Sequence, residues 1–279
     1  MAQVPNIRFN NAVQIPQFGF GVFQIKPEDT ATALRTAFDA GYRHIDTAQM
    51  YGNEEQVGQA IATSGIARDE LFVTTKLNND KHGADKAPAA LDESLRKLGL
   101  DHVDLFLIHW PRPAENKYVE TGGAFEKLAS DGKTRAIGVS NFQVAHLDRL
   151  AAETGTVPAV NQIELHPTLQ QLDVVQDSRR HGIAVESYSP LGQGADLDSA
   201  AVRRIAETHG VTAAQVILRW HLQSGYIVIP KSNTPERIVA NLDVTGFELT
   251  PDELGQVNDL EAGNRIGGHP ASFSMSQIR

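Results

Sequence analysis

Short apolar runs rich in β-branched residues recur along the chain, and longer stretches with apolar residues three and four positions apart lie between them. The short runs predict strands over 17–22, 44–47, 71–76, 103–109, 136–140, 159–162, 184–187 and 227–229. The longer pattern predicts amphipathic helices, among them 29–39, 87–98 and 213–223. Helix-start chemistry agrees. Thr250-Pro251-Asp252-Glu253 offers a capping hydroxyl, a proline at the first helical position and a reciprocal glutamate, and Thr212-Ala213-Ala214-Gln215 repeats the logic with glutamine. Eight strand–helix alternations with no linker between them favour an α/β fold closed as a (β/α)8 TIM barrel, forming one domain over 1–279. Such barrels run to roughly 250 residues before insertions. Two apolar runs before the first barrel strand, 7–9 and 13–15 around Asn10-Asn11, predict a β-hairpin that plugs the N-terminal end. The segment 263–279, with Gly267-Gly268 and a single Phe273, reads as a C-terminal tail over the active-site mouth or as a frayed terminus.

Charge narrows the partners. The net charge is −9 with no block of clustered Lys or Arg, a surface that repels phosphate backbones and argues against nucleic acid. The absence of cysteine removes disulfides, Cys-ligated zinc, iron–sulfur clusters and thiol nucleophiles. Met1 to Asn6 lack the basic stretch and apolar core of a signal peptide. No apolar run approaches the roughly 20 residues that span a bilayer. The expectation is a cytoplasmic monomer that acts on small molecules, with neither membrane nor nucleic acid as partner.

Polar residues at the C-terminal ends of barrel strands are the default catalytic candidates. Successive strands here end in Asp46, Lys76 and His109, and Tyr51 stands in the loop after Asp46. Singly, each has an ordinary explanation: a helix cap, a packed ring, a solvated cation, a core histidine. Their common placement is harder to explain that way. A phenol has an unperturbed pKa of about 10, and a nearby ammonium stabilises its anion, while a carboxylate paired with the ammonium fixes its position. Lowering that pKa by two units takes roughly 2.7 kcal/mol. His109 could donate a hydrogen bond to a substrate carbonyl. The set lacks the spacing of a metal site, so no metal is expected.

The run Gly41-Tyr42-Arg43-His44-Ile45-Asp46-Thr47-Ala48, followed by Tyr51-Gly52-Asn53-Glu54, resembles the aldo-keto reductases. So do Thr74-Thr75-Lys76-Leu77, Ile108-His109-Trp110-Pro111, Ile137-Gly138-Val139-Ser140-Asn141-Phe142 and Ile229-Pro230-Lys231-Ser232. Asn161-Gln162-Ile163-Glu164-Leu165-His166-Pro167 and Ser189-Pro190-Leu191-Gly192 are similar to the prokaryotic branch that includes 2,5-diketo-D-gluconate reductases. The resemblance implies that Tyr51 is the general acid, that Lys76 and Asp46 tune it, and that His109 orients the carbonyl.

No Gly-x-Gly-x-x-Gly follows a strand, which argues against a Rossmann pocket. The segment from Pro230 to Arg237 instead places Thr234 where it could cap a helix opening at Pro235, with Lys231 and Arg237 alongside. Free amides and a positive dipole make such a start an anion site, although an ordinary capped helix with solvated cations reads the same. Barrels often bind phosphate after their last strands, which shifts the balance. The resemblance implies NADPH, with Lys231, Ser232 and Arg237 on its 2′-phosphate and Asn241 near the adenine. It implies Ser140, Asn141 and Gln162 on the carboxamide and Tyr188 stacked on the nicotinamide, with Gly21, Val22, Ser189, Leu191, Gly192, Asn233 and Thr234 also at the cofactor.

By the same analogy Phe23, Ala48, Asn78, Trp110 and Gly192 line the substrate pocket. Many relatives carry Trp where this chain has Asn78, which implies a wider, more polar pocket. The activity implied is reduction of aldehydes, ketones, keto sugars or reactive dicarbonyls, with the reverse oxidation open. Two other classes compete: an NADPH-holding redox sensor and a metal-dependent barrel hydrolase. The intact set of four favours catalysis over sensing, and the lack of clustered His and carboxylate residues at several strand ends argues against the hydrolase.

Overall fold

The computed structural model describes residues 4–273. Strands β1 (Asn6–Arg8) and β2 (Gln14–Pro16) pair antiparallel, with Ile7 opposite Ile15. The two asparagines at their turn do more than bend the chain. Asn10 Nδ2 donates to Pro158 O and Asn11 Nδ2 donates to Arg135 O, each at 3.0 Å. Phe9 and Ile15 bury against Phe72, Leu105, Ala136 and Val160. The hairpin therefore plugs the floor of the barrel.

Eight parallel strands follow: β3 (Phe20–Gly21), β4 (His44–Asp46), β5 (Phe72–Leu77), β6 (Val103–Ile108), β7 (Thr134–Ser140), β8 (Val160–Glu164), β9 (Ala184–Tyr188) and β10 (Ile227–Val228). Each pairs with the next in chain order. The apolar run over 17–22 yields only a two-residue ladder in β3, but its neighbours close the sheet. Phe18 bridges Val228 in parallel, Gly19 N donates to Val228 O at 2.8 Å, and Val228 N donates to Gln17 O at 2.9 Å. Closure removes the exposed strand edges an open sheet would carry.

The helices lie outside: α1 (Pro27–Ala40), α2 (Glu54–Thr63), α3 (Ala87–Leu98), α4 (Tyr118–Ser130), α5 (Val144–Glu153), α6 (Leu172–Arg180), α7 (Ala200–His209), α8 (Ala213–Gln223), α9 (Pro235–Leu242) and α10 (Pro251–Asn258). Each turns an apolar stripe inward, as α3 does with Leu91, Leu95 and Leu98. Phe106 of β6 stacks on Phe125 of α4 at 4.3 Å. Burial of one such ring contributes about 1.5–3 kcal/mol. Both capping boxes form, with Gln215 N donating to Thr212 Oγ1 and Glu253 N donating to Thr250 Oγ1, each at 3.2 Å.

At the other end the C-terminal segment crosses the strand ends. Ala262 N and Asn264 N donate to Thr168 O at 3.2 and 3.0 Å. Ile266 N and Gly267 N donate to the Glu164 carboxylate at 2.6 and 2.8 Å, and Phe273 stacks on Trp110 at 3.9 Å. Residues 263–273 are thus seated over the mouth, while 274–279 of the expected tail lie outside the described residues. Among the described residues no helix is long and apolar enough to cross a membrane.

Candidate active site

Alternation along the strands sends Asp46 and Lys76 into the barrel at its C-terminal rim. Lys76 is fully buried. Its Nζ donates to Asp46 Oδ1 at 2.6 Å, to Thr47 O at 2.9 Å and to the Tyr51 hydroxyl at 3.2 Å. All three ammonium hydrogens therefore have acceptors. Tyr51 ends a 3-10 turn, and its N donates to Ala48 O at 3.0 Å. Its ring packs against Phe23 at 5.0 Å and edge-on to His109 at 5.8 Å. The four ionisable groups from separate parts of the chain meet.

Their electrostatics differ from the simplest expectation. Burial pulls the Lys76 ammonium down, but Asp46 and Tyr51 outweigh it and hold the group above its ordinary value. Burial pushes the Tyr51 hydroxyl up to about 12, with Lys76 pulling the other way. Lys76 thus acts in the direction anticipated, yet desolvation outweighs it and the phenol stays protonated. His109 is driven well below its ordinary value, first by burial and then by Lys76 and His82, so its ring is neutral.

Ser140, Asn141, Gln162 and Tyr188 form the adjoining arc of the rim. Asn141 takes a left-handed backbone (φ 65°), which Asn tolerates better than most residues. Its Nδ2 donates to His109 O at 3.0 Å, and the Tyr188 hydroxyl donates to its Oδ1 at 2.7 Å. Ser140 Oγ donates to Gln162 O at 2.9 Å. Gln162 Nε2 donates to Asp46 Oδ2 at 2.8 Å and to Glu186 Oε2 at 3.0 Å. Its Oε1 accepts from no group among the described residues. Gly21 N donates to Pro230 O at 3.1 Å and Val22 N donates to Asp46 O at 3.0 Å. Ser189 (φ 49°) and Gly192 (φ 57°) turn the chain after β9, with the half-buried Leu191 between them.

Lys231, Asn233, Thr234 and Arg237 are exposed where β10 runs into α9, with Ser232 and Asn241 buried beside them. Thr234 occupies the N-cap position, but its side chain makes no capping bond; its N instead donates to Ser232 Oγ at 3.1 Å. The expected Thr234 cap is therefore absent. A helix start without a side-chain cap, flanked by two cations, suits a phosphate.

On the substrate side the outcome is mixed. Phe23 touches Tyr51, and Trp110 lies buried beneath Phe273. Ala48 is fully buried, its O accepting from Tyr51 N, and lines no open surface. Asn78 Oδ1 accepts from Asn79 N at 2.8 Å, so its carbonyl oxygen caps the short turn at 79–81 and is already engaged. Sequence reasoning passed over Glu186 and His44, which share the barrel interior with Asp46. The signal was present, since each lies two residues before a rim residue on its own strand. It also assigned no task to Glu164, His166 or Asp196, which tie the tail and the loop after β9 to one point.

Fold and rim define a (β/α)8 barrel with a protonated phenol held against a buried ammonium at its mouth. The chain belongs to the aldo/keto reductase family, whose sequence profile matches residues 17–262. It is 47% identical over 276 residues to the methylglyoxal reductase of Escherichia coli, covering 98% of this chain and 99% of that protein. It is 46% identical over 287 residues to the morphine 6-dehydrogenase of Pseudomonas putida, covering 98% and 97%. Among solved structures, a Gox0644 variant in complex with NADPH superposes with a TM-score of 0.94 at 43% identity, over 99% of this chain and 100% of that one.

Proposed function

We propose that the protein is an NADPH-dependent oxidoreductase that reduces aldehydes, ketones, keto sugars or reactive dicarbonyls to alcohols, with Tyr51 as general acid. The observation that carries this reading is the Tyr51 hydroxyl 3.2 Å from Lys76 Nζ, itself 2.6 Å from Asp46. A relative that reduces methylglyoxal and one named for morphine oxidation support carbonyl–alcohol chemistry in either direction.

The residues present fit the cofactor. Gln162 Oε1, which accepts from no group among the described residues, is suited, with Ser140 and Asn141, to a carboxamide. Tyr188 offers a ring at the nicotinamide position, its hydroxyl already held by Asn141. The uncapped start of α9 with Lys231, Ser232 and Arg237 suits the 2′-phosphate, and Asn241 the adenine. Gly21, Val22, Ser189, Leu191, Gly192, Asn233 and Thr234 complete the proposed contact. Bound NADPH supplies the hydride. Tyr51 then gives its proton to the carbonyl oxygen as that oxygen gains charge, and Lys76 stabilises the phenolate left behind. Asp46 keeps Lys76 charged and in place. Neutral His109 orients the carbonyl oxygen without competing as an acid. The phenol's raised pKa keeps the donor loaded at neutral pH, and the Lys76 contact limits the cost of releasing the proton.

The net charge of −9 favours small molecules over nucleic acid as partners, and we read the protein as a cytoplasmic, single-domain monomer. The test is NADPH oxidation against a panel of aldehydes, keto acids, keto sugars and dicarbonyls, with Tyr51→Phe as control. Tyr51→Phe is expected to lose roughly 10²–10⁴-fold in turnover while still binding NADPH. A loss under about tenfold in a folded variant would assign the acid elsewhere.

A further inference from the structure

Beneath the mouth lies a second carboxyl group that the chemistry above does not use. Glu186 sits two residues before Tyr188 on β9 and is fully buried. Its Oε2 accepts from the same Gln162 Nε2 that donates to Asp46 Oδ2. An amide nitrogen carries two hydrogens, and both are spent on carboxyl groups. The turn of Gln162 follows, because the opposite orientation would set its carbonyl oxygen against two carboxyl oxygens.

The other side of Glu186 faces a second acceptor. Its Oε1 is buried without a hydrogen bond among the described residues and lies 3.4 Å from His44 Nε2, itself buried and unpartnered. His44 Nδ1 lies 3.3 Å from Pro16 O, which can only accept. Nδ1 therefore carries the ring hydrogen and Nε2 a lone pair. The imidazole has no freedom to turn away. Phe72 packs edge-on at 5.4 Å, and a Cβ at Gly19 would come within 2.4 Å of Nδ1.

Two acceptors facing one another in a sealed interior are reconciled by one proton between them. Among the described residues the charged groups around Glu186 are Asp46 on β4 and Lys76 on β5, and the Lys76 hydrogens are directed to Asp46, Thr47 and Tyr51. Burial, reinforced by Asp46, raises the Glu186 carboxyl to about 8, while burial lowers His44 to about 3. The proton stays on the acid.

We propose that Glu186 is a positioning residue: as a neutral acid it donates to His44 Nε2, accepts from Gln162, and so leaves the Gln162 carbonyl oxygen free for the carboxamide of the bound nicotinamide. It also leaves Asp46 as the one carboxylate charge beside Lys76, since a second would bind the Tyr51 proton more tightly. The positioning role rests on the cofactor reading above; the shared proton does not.

Infrared difference spectra of the cofactor-free protein at neutral pH test the proton directly. Wild type should show the C=O stretch of a protonated carboxyl that Glu186→Gln lacks, and its absence from wild type overturns the proposal. A glutamine offers both an N–H for His44 and a carbonyl for Gln162. Glu186→Gln should therefore keep NADPH affinity and kcat within about twofold of wild type. Glu186→Leu removes the acceptor and should weaken NADPH binding roughly 3- to 12-fold. Its kcat should fall as well, with KM for the carbonyl unchanged. Equal losses in both variants would mean that a charge is required, and wild-type behaviour of Glu186→Leu would mean that nothing is positioned; either overturns the role. If Glu186→Leu does not fold, the infrared band and the glutamine variant still decide. Failure of the wild type to oxidise NADPH with any carbonyl would instead refute the proposed function while leaving the infrared result standing.

Discussion

Replacing Lys76 by methionine separates what the ammonium does for catalysis from what it does for the fold. The side chain is fully buried, and it is the cation in contact with Asp46, which is 2% exposed. Methionine fills most of the volume but leaves that carboxylate with only the Gln162 amide as a donor among the described residues. Removing one partner of a buried pair costs about 3–5 kcal/mol, chiefly as the penalty of an uncompensated buried charge. For a chain of this size that is a fall in Tm of roughly 6–20 °C. Turnover should drop as well, because the phenolate formed at Tyr51 loses a charge-assisted bond worth about 1.5–3 kcal/mol, or roughly 10- to 150-fold. The double variant Asp46→Asn with Lys76→Met removes the stranded charge, so it should regain most of the stability and none of the activity. Thermal unfolding and steady-state NADPH oxidation on the same samples read both effects. Two results would refute the reasoning: a Lys76→Met protein within about 2 °C of wild type, or a double variant no more stable than the single one.

At the start of α9, Lys231→Ala should weaken NADPH binding roughly 10- to 150-fold and leave NADH nearly unchanged, because one charged contact contributes about 1.5–3 kcal/mol. Fluorescence titration of both cofactors tests this, and equal wild-type affinities would defeat it; added salt should narrow the wild-type difference. His166 lies between Asp196 at 2.8 Å and Glu164 at 3.4 Å. Burial lowers its pKa, but the bonds to Asp196 and Glu164 prevail and raise it to about 9. Its stabilising charge is thus fully present below its ordinary value of 6.5 and lost as pH rises through about 9. The Tm advantage of wild type over His166→Gln should shrink across that window, and a constant gap would show that His166 does not titrate there.

The barrel was legible in the sequence because its information is local and periodic. A buried parallel strand is a short apolar run, and an outer helix repeats its apolar residues every three or four positions. Turn and cap chemistry is equally local, so the hairpin around Asn10-Asn11 and the boxes at Thr212 and Thr250 could be read directly. The quartet of Asp46, Tyr51, Lys76 and His109 was legible for a related reason: the fold itself carries strand ends to one rim. At 17–22, closure depends on backbone bonds between Gln17 or Gly19 and Val228, more than 200 positions away.

What the sequence by itself determined, then, is the alternation of elements, the barrel they close and the types of residue at its mouth, since strand and helix periods act over a few residues. Tertiary structure alone decided how those residues behave. Desolvation at Tyr51 outweighs its cation, and the tail fastens to Glu164. Only in the closed barrel do Glu186 and His44, 142 positions apart, meet with one proton between them. Charge states and partners of this kind depend on burial and on contacts between remote segments, which no local pattern encodes.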